Sequence, residues 1–301
     1  MTSLLPLLLA AAASARPSFD DVIHEVESMV WDAAANQMVR DEGLSLVNVT
    51  WEDTGRYKAA EIPGSADVSV TDRTYFQTLQ KRDDLHFGEM IVGRQHVDEE
   101  KSQSYVYLTG QRRVRKLPNA CCDTPTPATA GLMSFDELSV FSGRTDRFDW
   151  KLVGKRELLV PYNQNRFLQA RDAEIIKGQH LNPDHVRWEL HRVWVVEASL
   201  AAGQRHQAPK SIYYLDEDTW LAVLGDRWDA NGQLWKTLWV FNYVMPDFPG
   251  TVQQTFGFYD LLSGQAYVAN VLNNKSFHHR PSKRWPTETF TGDGLAAQGV
   301  R

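Results

Sequence analysis

Two hydrophobic periodicities divide the chain. Between residues 19 and 39, Phe19, Val22, Ile23, Val26, Met29, Val30 and Ala33 recur at helical spacing. Ser18 stands as a plausible N-cap, with Asp20 and Asp21 in the first turn. This pattern predicts one amphipathic helix ending before Gly43. From Leu44 onward the period becomes two, which predicts strands over 44–51, 56–62, 66–70 and 87–97, while 74–80 fits helix or strand. Further strands are predicted over 188–198, 211–215, 220–227, 234–243, 251–259 and 265–272. The turns between them are marked by Asp216-Glu217-Asp218, Asn231-Gly232 and Ser263-Gly264. Short polar turns between alternating segments specify an antiparallel meander, curled to protect its edges. A helix preceding it serves either as a lid on a curved sheet or as simple packing against it.

The stretch over 105–163 organises the rest. Tyr105, Tyr107 and Thr109 share one face of a strand, with Val106 and Leu108 on the other. Arg112, Arg113, Arg115 and Lys116 follow as a basic run, closed by Leu117-Pro118, and proline cannot continue a ladder. A proline-interrupted loop, Thr124-Pro125-Thr126-Pro127, leads to a short amphipathic piece around Phe135, Leu138 and Phe141. A strand over 148–160 then runs to Pro161. The basic run has two readings: contact with an anionic group, or cross-strand pairing with carboxylates such as Glu157, Glu189 or Glu197.

These segments resemble domain-of-unknown-function family 1329. The likeness rests on Arg112-Arg113-Val114-Arg115, Asp123-Thr124-Pro125, Gly131-Leu132, Phe141-Ser142-Gly143, the run from Asp149 to Lys155, and Val160-Pro161-Tyr162-Asn163. It continues through Asn182-Pro183-Asp184, the run from Glu189 to Glu197, and Asp216-Glu217-Asp218, and so covers roughly 105–274. Before that stretch the likeness fails. The resemblance implies an exported Gram-negative protein similar to outer-membrane lipoprotein-sorting proteins. It implies a mainly β (α+β) fold of the LolA/LolB type: a strongly curved antiparallel sheet, an incomplete β-barrel with helices covering its concave side. One such domain is expected over 16–274, followed by a poorly ordered tail over 275–301.

A half-barrel of this kind suits a carrier, because apolar side chains lining it gain about 0.8 kcal/mol per methylene of a bound acyl chain. The expected ligand-binding residues are Trp188, Trp194 and Trp239 on the later strands, with Tyr105, Tyr107, Arg113 and Arg115 on the central strand. The arginines would meet an anionic headgroup. The expected partners are a lipid, acylated protein or other hydrophobic molecule, together with an envelope transporter or outer-membrane protein. A structural or adaptor role in an envelope assembly is the alternative, and an enzyme acting on an envelope lipid is a more distant one.

Composition narrows the classes further. Hydrophobic residues at 43% and charged residues at 23% are those of a globular chain with a sizeable core. A net charge of −6 gives nucleic acid no concentrated basic face. Leu4 to Ala12 followed by Ala13-Ser14-Ala15 reads as a signal peptide over 1–15, too short to span a bilayer, which points to the periplasm or the outer-membrane periphery. No nucleophile elbow, phosphate loop or zinc-protease helix occurs, so no catalytic residue, cofactor or metal is expected. His180, His185 and His191 are read as solvated histidines, since nothing in their spacing forces convergence. Cys121 and Cys122 are the only cysteines; adjacent, they form either a strained ring or two thiols.

Overall fold

The computed structural model describes residues 21–32, 37–48, 72–80, 90–96, 103–117, 122–126, 131–171, 174–177, 180–245, 250–269, 273, 280–281 and 291–299. The signal segment, Cys121 and the strands expected over 56–62 and 66–70 lie outside the described residues. The chain forms two compact units: one chiefly of Ser28–Arg40 and Cys121–Asn274, the other of Ser18–Glu27, Asp41–Ala120 and Lys275–Arg301.

The unit containing Asp41–Ala120 is an antiparallel meander. Strand β1 (Asp21–Asp32) precedes β2 (Gln37–Asn48), β3 (Asp72–Gln80), β4 (Met90–His96), β5 (Gln103–Leu108) and β6 (Arg113–Leu117), and β2 to β6 pair in sequence order. The helix expected over 19–39 is a strand instead. Val22, Ile23, Val26 and Val30 are β-branched, and pairing supplies the backbone partners that a helix would have found internally. The expected continuous strand from Tyr105 to Leu117 is also corrected. It folds back as a hairpin through a 3-10 turn at Thr109–Gln111 and a left-handed Arg112 (φ 48°), setting Leu108 opposite Arg113.

The tail expected to be poorly ordered carries the one α-helix among the described residues, α1 (Gly292–Gly299). It is held there by Leu295, fully buried against Met90, Val92 and Tyr107. Among the described residues, no helix is long and apolar enough to cross a membrane.

The other unit is built on seven antiparallel strands. They are β7 (Phe148–Pro161), β10 (Trp188–Leu200), β11 (Lys210–Asp216), β12 (Ala222–Trp228), β13 (Leu234–Met245), β14 (Gly250–Asp260) and β15 (Ala266–Ala269). The order across this curved sheet is β15-β14-β13-β12-β11-β10-β7, and Met29–Trp31 of β1 pairs with β15. The sheet is not closed. The small strands β8 (Ile176–Lys177) and β9 (His180–Leu181) form a separate ribbon. The turn residues read in the sequence hold: Gly232 (φ 76°) and Gly264 (φ 74°) take the left-handed conformation that their hairpins need.

Both faces of this sheet are covered by largely irregular segments whose helical parts are the short 3-10 helices Phe135–Glu137 and Gln164–Gln169. On one face Met133 and Val140, with Leu132, Leu138 and Phe141, pack on Tyr213, Leu215, Leu238, Val240, Phe256 and Phe258. On the other, Phe167, Ala170, Ile175, Leu181 and Val186 pack on Trp239, Phe241, Tyr243 and Val268. Three of the covering residues are β-branched and the segments carry Pro125, Pro183 and many polar residues, a composition that leaves helix formation little support.

The crossing of β13, β14 and β15 leaves no room for a side chain at Gly257. A Cβ there would collide with the Tyr267 carbonyl oxygen and the Trp239 ring. Gly257→Ala is therefore expected to destabilise the unit by at least about 1–3 kcal/mol, because backbone has to move. A lowered urea midpoint with an unchanged denaturant slope checks this.

Candidate functional site

The edge strand β7 and its neighbour β10 form a long two-stranded ribbon, and the bulge in it decides what each face shows. The register passes from Val195 opposite Gly154 to Val196 opposite Leu152, so Val153 is the extra residue. Gly154 has φ 143°, a conformation that only glycine adopts without strain. The bulge changes parity along β7. Phe148, Trp150 and Leu152 lie on one face, and beyond it Lys155, Glu157, Leu159 and Pro161 continue that face, opposite Trp194, Arg192, Leu190 and Trp188. The outer edge is charged through Asp149, Lys151, Lys155 and Arg156, and the bulge twists it; both features oppose pairing with another strand.

The two ends of this face differ. Phe148 and Trp150 join the covered core, where Trp150 meets Phe141 with ring centroids 5.4 Å apart. Trp194 stacks on Trp220 at 6.0 Å and carries the Lys155 ammonium 4.2 Å from its ring centroid. Beyond this pair the cover stops. Leu190 (65% exposed), Leu159 (56%) and Trp188 (48%) form adjacent rungs of apolar surface open to solvent. Arg192, on the next rung, is exposed and paired with Glu217, which Lys155 also contacts.

On the opposite face of the same ribbon lies a buried polar node. His191 Nδ1 is 2.7 Å from Asp216 Oδ1, and Asp216 Oδ2 accepts hydrogen bonds from Thr219 Oγ1 (2.7 Å), the Thr219 N–H (2.9 Å) and the Tyr162 hydroxyl (3.2 Å). Burial and the Asp216 charge push the Tyr162 hydroxyl up to about 12. Asp218 is near enough that His191, Asp216 and Asp218 can meet a common cation. The Asp216 oxygens, however, are already taken by this turn, and the node reads as the anchor of the β11–β12 hairpin.

A second polar group fastens the covering segment over the sheet. The 3-10 turn Phe135–Glu137 places Asp136 and Glu137 against Arg227 of β12 and Lys236 of β13, which oppose each other in register. Arg227 donates from Nη2 to Asp136 Oδ2 at 3.1 Å, and Lys236 Nζ donates to Glu137 Oε1 at 2.9 Å and to the Leu132 carbonyl at 3.1 Å. His206 Nε2 meets Asp136 Oδ2 at 2.8 Å and Ser134 Oγ donates to Oδ1 at 2.6 Å. All four charged side chains are buried. Burial pushes the Asp136 carboxyl up, but Arg227 and the His206 and Ser134 hydrogen bonds outweigh it and hold it well below the usual carboxylate range. Beside this group is a cavity of about 150 Å³ of mixed lining, bordered by Asp123, Pro125, Leu132, His206, Trp235 and Asp260.

The residues singled out in the sequence are placed apart. Trp188 and Trp194 share a face of β10, but Trp188 is in solvent and Trp194 is in the stack under Lys155. Trp239 is buried within the core of the opposite face (3% exposed), so the three tryptophans do not line one cavity. Tyr105, Tyr107, Arg113 and Arg115 belong to the other unit. There Tyr107 is buried beside Leu295, Tyr105 packs at the edge of that cluster, and Arg113 and Arg115 are exposed, Arg115 donating to Gln111 Oε1 at 2.6 Å. Two of the three carboxylates suggested as partners for the basic run pair within their own unit: Glu189 with Arg187 at 2.8 Å and Glu197 with Lys210 at 3.5 Å. Sequence reading missed Leu159, Leu190 and the Asp136–Arg227 group. Leucine in an alternating strand is read as core, and buried charge has no local signature.

Known proteins place this architecture. A proposed outer membrane lipoprotein-sorting protein domain from Vibrio parahaemolyticus superposes with a TM-score of 0.64 at 13% identity, covering 97% of each chain. A DUF1329 family protein from Desulfovibrio piger gives 0.62 at 12% identity, covering 96% of each. The LolA superfamily protein NE2245 from Nitrosomonas europaea gives 0.53 at 11% identity, covering 95% of this chain and 97% of that one. At such identities the likeness is one of fold, and the fold is LolA-like. An uncharacterized protein of Pseudomonas aeruginosa, PA3922, is 37% identical over 202 residues, 66% of this chain. The chain spans 44% of the length of that curated relative. The model of the family described as "Protein of unknown function (DUF1329)" matches residues 27–296, well beyond the stretch legible as a resemblance, and the chain belongs to that family.

Proposed function

We propose that the protein is an exported, non-catalytic envelope carrier that holds a lipid or the acyl chain of an acylated protein on the open end of the β7–β10 ribbon. The observation that carries this reading is the run of exposed rungs formed by Leu159, Leu190 and Trp188, beyond the point where the chain's own segments cover that face of the ribbon. Contiguous apolar surface left open on an otherwise packed sheet marks a binding surface. The LolA-like fold and the lipoprotein-sorting description of the Vibrio parahaemolyticus domain support a hydrophobic cargo. Arg192, exposed beside Leu190, is the cation that would meet an anionic headgroup. Arg113 and Arg115, exposed on β6, would offer a separate anion-contacting face on the other unit.

The experiment is fluorescence quenching by a brominated fatty acid. Wild type is expected to be quenched in a saturable manner, and Leu159→Ser/Leu190→Ser to lose at least about tenfold in affinity, from the apolar area removed. Thermal stability should change little, because both side chains are already in solvent. A second reading, an adaptor in an envelope assembly, is favoured by the filling of both sheet faces by the chain's own side chains. Absence of quenching by any acyl ligand would select it.

A further inference from the structure

The end of the seven-stranded sheet where β12 turns into β13 and β14 into β15 carries a feature that the ribbon site does not use. Leu261 (52% exposed) and Leu262 (51%) form the tip of the β14–β15 turn, and Leu234, also exposed, begins β13 beside it. Adjacent exposed leucines at a protruding turn are unusual, since turn tips are ordinarily polar.

What distinguishes this tip is its backbone. The Leu261 N–H donates to the Trp235 carbonyl at 2.7 Å, and the Leu262 and Ser263 N–H groups donate to Asp260 Oδ1 at 3.0 and 2.9 Å. The Gly264 N–H reaches the Asp260 carbonyl at 2.9 Å and the Gln265 N–H reaches Ser263 Oγ at 3.3 Å. Every amide from Leu261 to Gln265 is thus satisfied within the turn or by its neighbour strand. A tip that enters hydrocarbon must not carry free amides.

The flanks agree with this reading. Trp235 is half-buried at the base of the tip, with its indole N–H bound at 3.0 Å to Oδ2 of Asp260, the carboxylate that closes the turn. Trp228, opposite Leu234 in register, lies under the Lys210 ammonium 5.3 Å from its ring centroid. Tryptophans set behind an apolar tip match the order of a membrane boundary, acyl chains and then the interfacial aromatic level.

We propose that this end of the sheet docks on a lipid bilayer surface, with Leu261 and Leu262 inserted below the headgroups and Trp235 at the interface. The surface is distinct from the Leu159–Leu190–Trp188 ribbon, and the inference does not depend on the ribbon binding a ligand. Flotation with vesicles of phosphatidylethanolamine and phosphatidylglycerol tests it. Wild type should rise with the vesicles. Leu261→Ser/Leu262→Ser should bind about tenfold or more weakly, from the apolar surface removed, with unchanged melting temperature and unchanged quenching by brominated fatty acid. Leu261→Phe/Leu262→Phe should float as wild type does. Wild type remaining at the bottom of the gradient, or the serine variant floating equally well, would overturn the proposal, whatever the fatty-acid result.

Discussion

Asp136→Asn should cost about 3–5 kcal/mol of stability, the effect of leaving a buried charge without its counter-ion. Arg227 is fully buried, and the Asp136 carboxylate accepts two of its hydrogen bonds, at 3.1 and 3.3 Å. The neutral amide would leave the guanidinium facing Glu137 alone, at 3.5 Å, while Glu137 already serves Lys236. The double variant Asp136→Asn/Arg227→Met should be less damaging than the sum of the single changes, because the stranded charge is gone. Urea unfolding of the single and double variants measures both quantities.

The same group sets an acid limit. The Asp136 carboxyl is held below its ordinary range in the folded protein. A depressed carboxylate contributes stability that is fully present above its unfolded value, about 3.9, and is lost as pH falls toward the folded one. Wild type should therefore lose stability below about pH 4 more steeply than Asp136→Asn. Equal acid slopes for the two proteins would show that Asp136 is not the group responsible.

Trp239→Ala is the other large effect, about 3–5 kcal/mol, from a cavity in the core that β13 shares with Phe167 and Val268. Its ring packs on Phe241 at 4.7 Å and on Tyr259 at 6.4 Å, and its Nε1 makes no hydrogen bond among the described residues. Trp239→Phe should thus be much milder, since no polar partner is abandoned. Trp188→Ala, a solvent-facing residue, should change stability by less than about 0.5 kcal/mol and yet weaken quenching by acyl ligands. The contrast between the two tryptophans separates packing from binding.

The period-two segments from Trp188 onward were legible because three of the turns between them carry Asn-Gly, Ser-Gly or acidic residues, which favour pairing of sequence neighbours. β1 was not legible. Val22, Ile23, Val26 and Met29 satisfy a helical spacing, and only pairing with distant residues such as Val268 shows that they are extended. The β5–β6 turn was passed over although Gly110 marks it, because the basic residues that follow, from the left-handed Arg112 on, read as a continuation of the strand. Of the candidate site, Trp188 was visible from alternation alone. Leu159, opposite Leu190 on the same face, was not, because the Val153–Gly154 bulge reverses which residues of β7 share that face. The Asp136–Arg227 contact joins residues 91 apart in the chain, a distance over which sequence patterning has no reach.

The most direct measurement of the carrier reading is native mass spectrometry of the protein purified from the cell envelope without delipidation. The predicted result is a bound mass in the range of an acyl lipid on wild type, absent from Leu159→Ser/Leu190→Ser at equal folded content. A wild-type spectrum showing the bare chain alone, under conditions that preserve weak complexes, would contradict it.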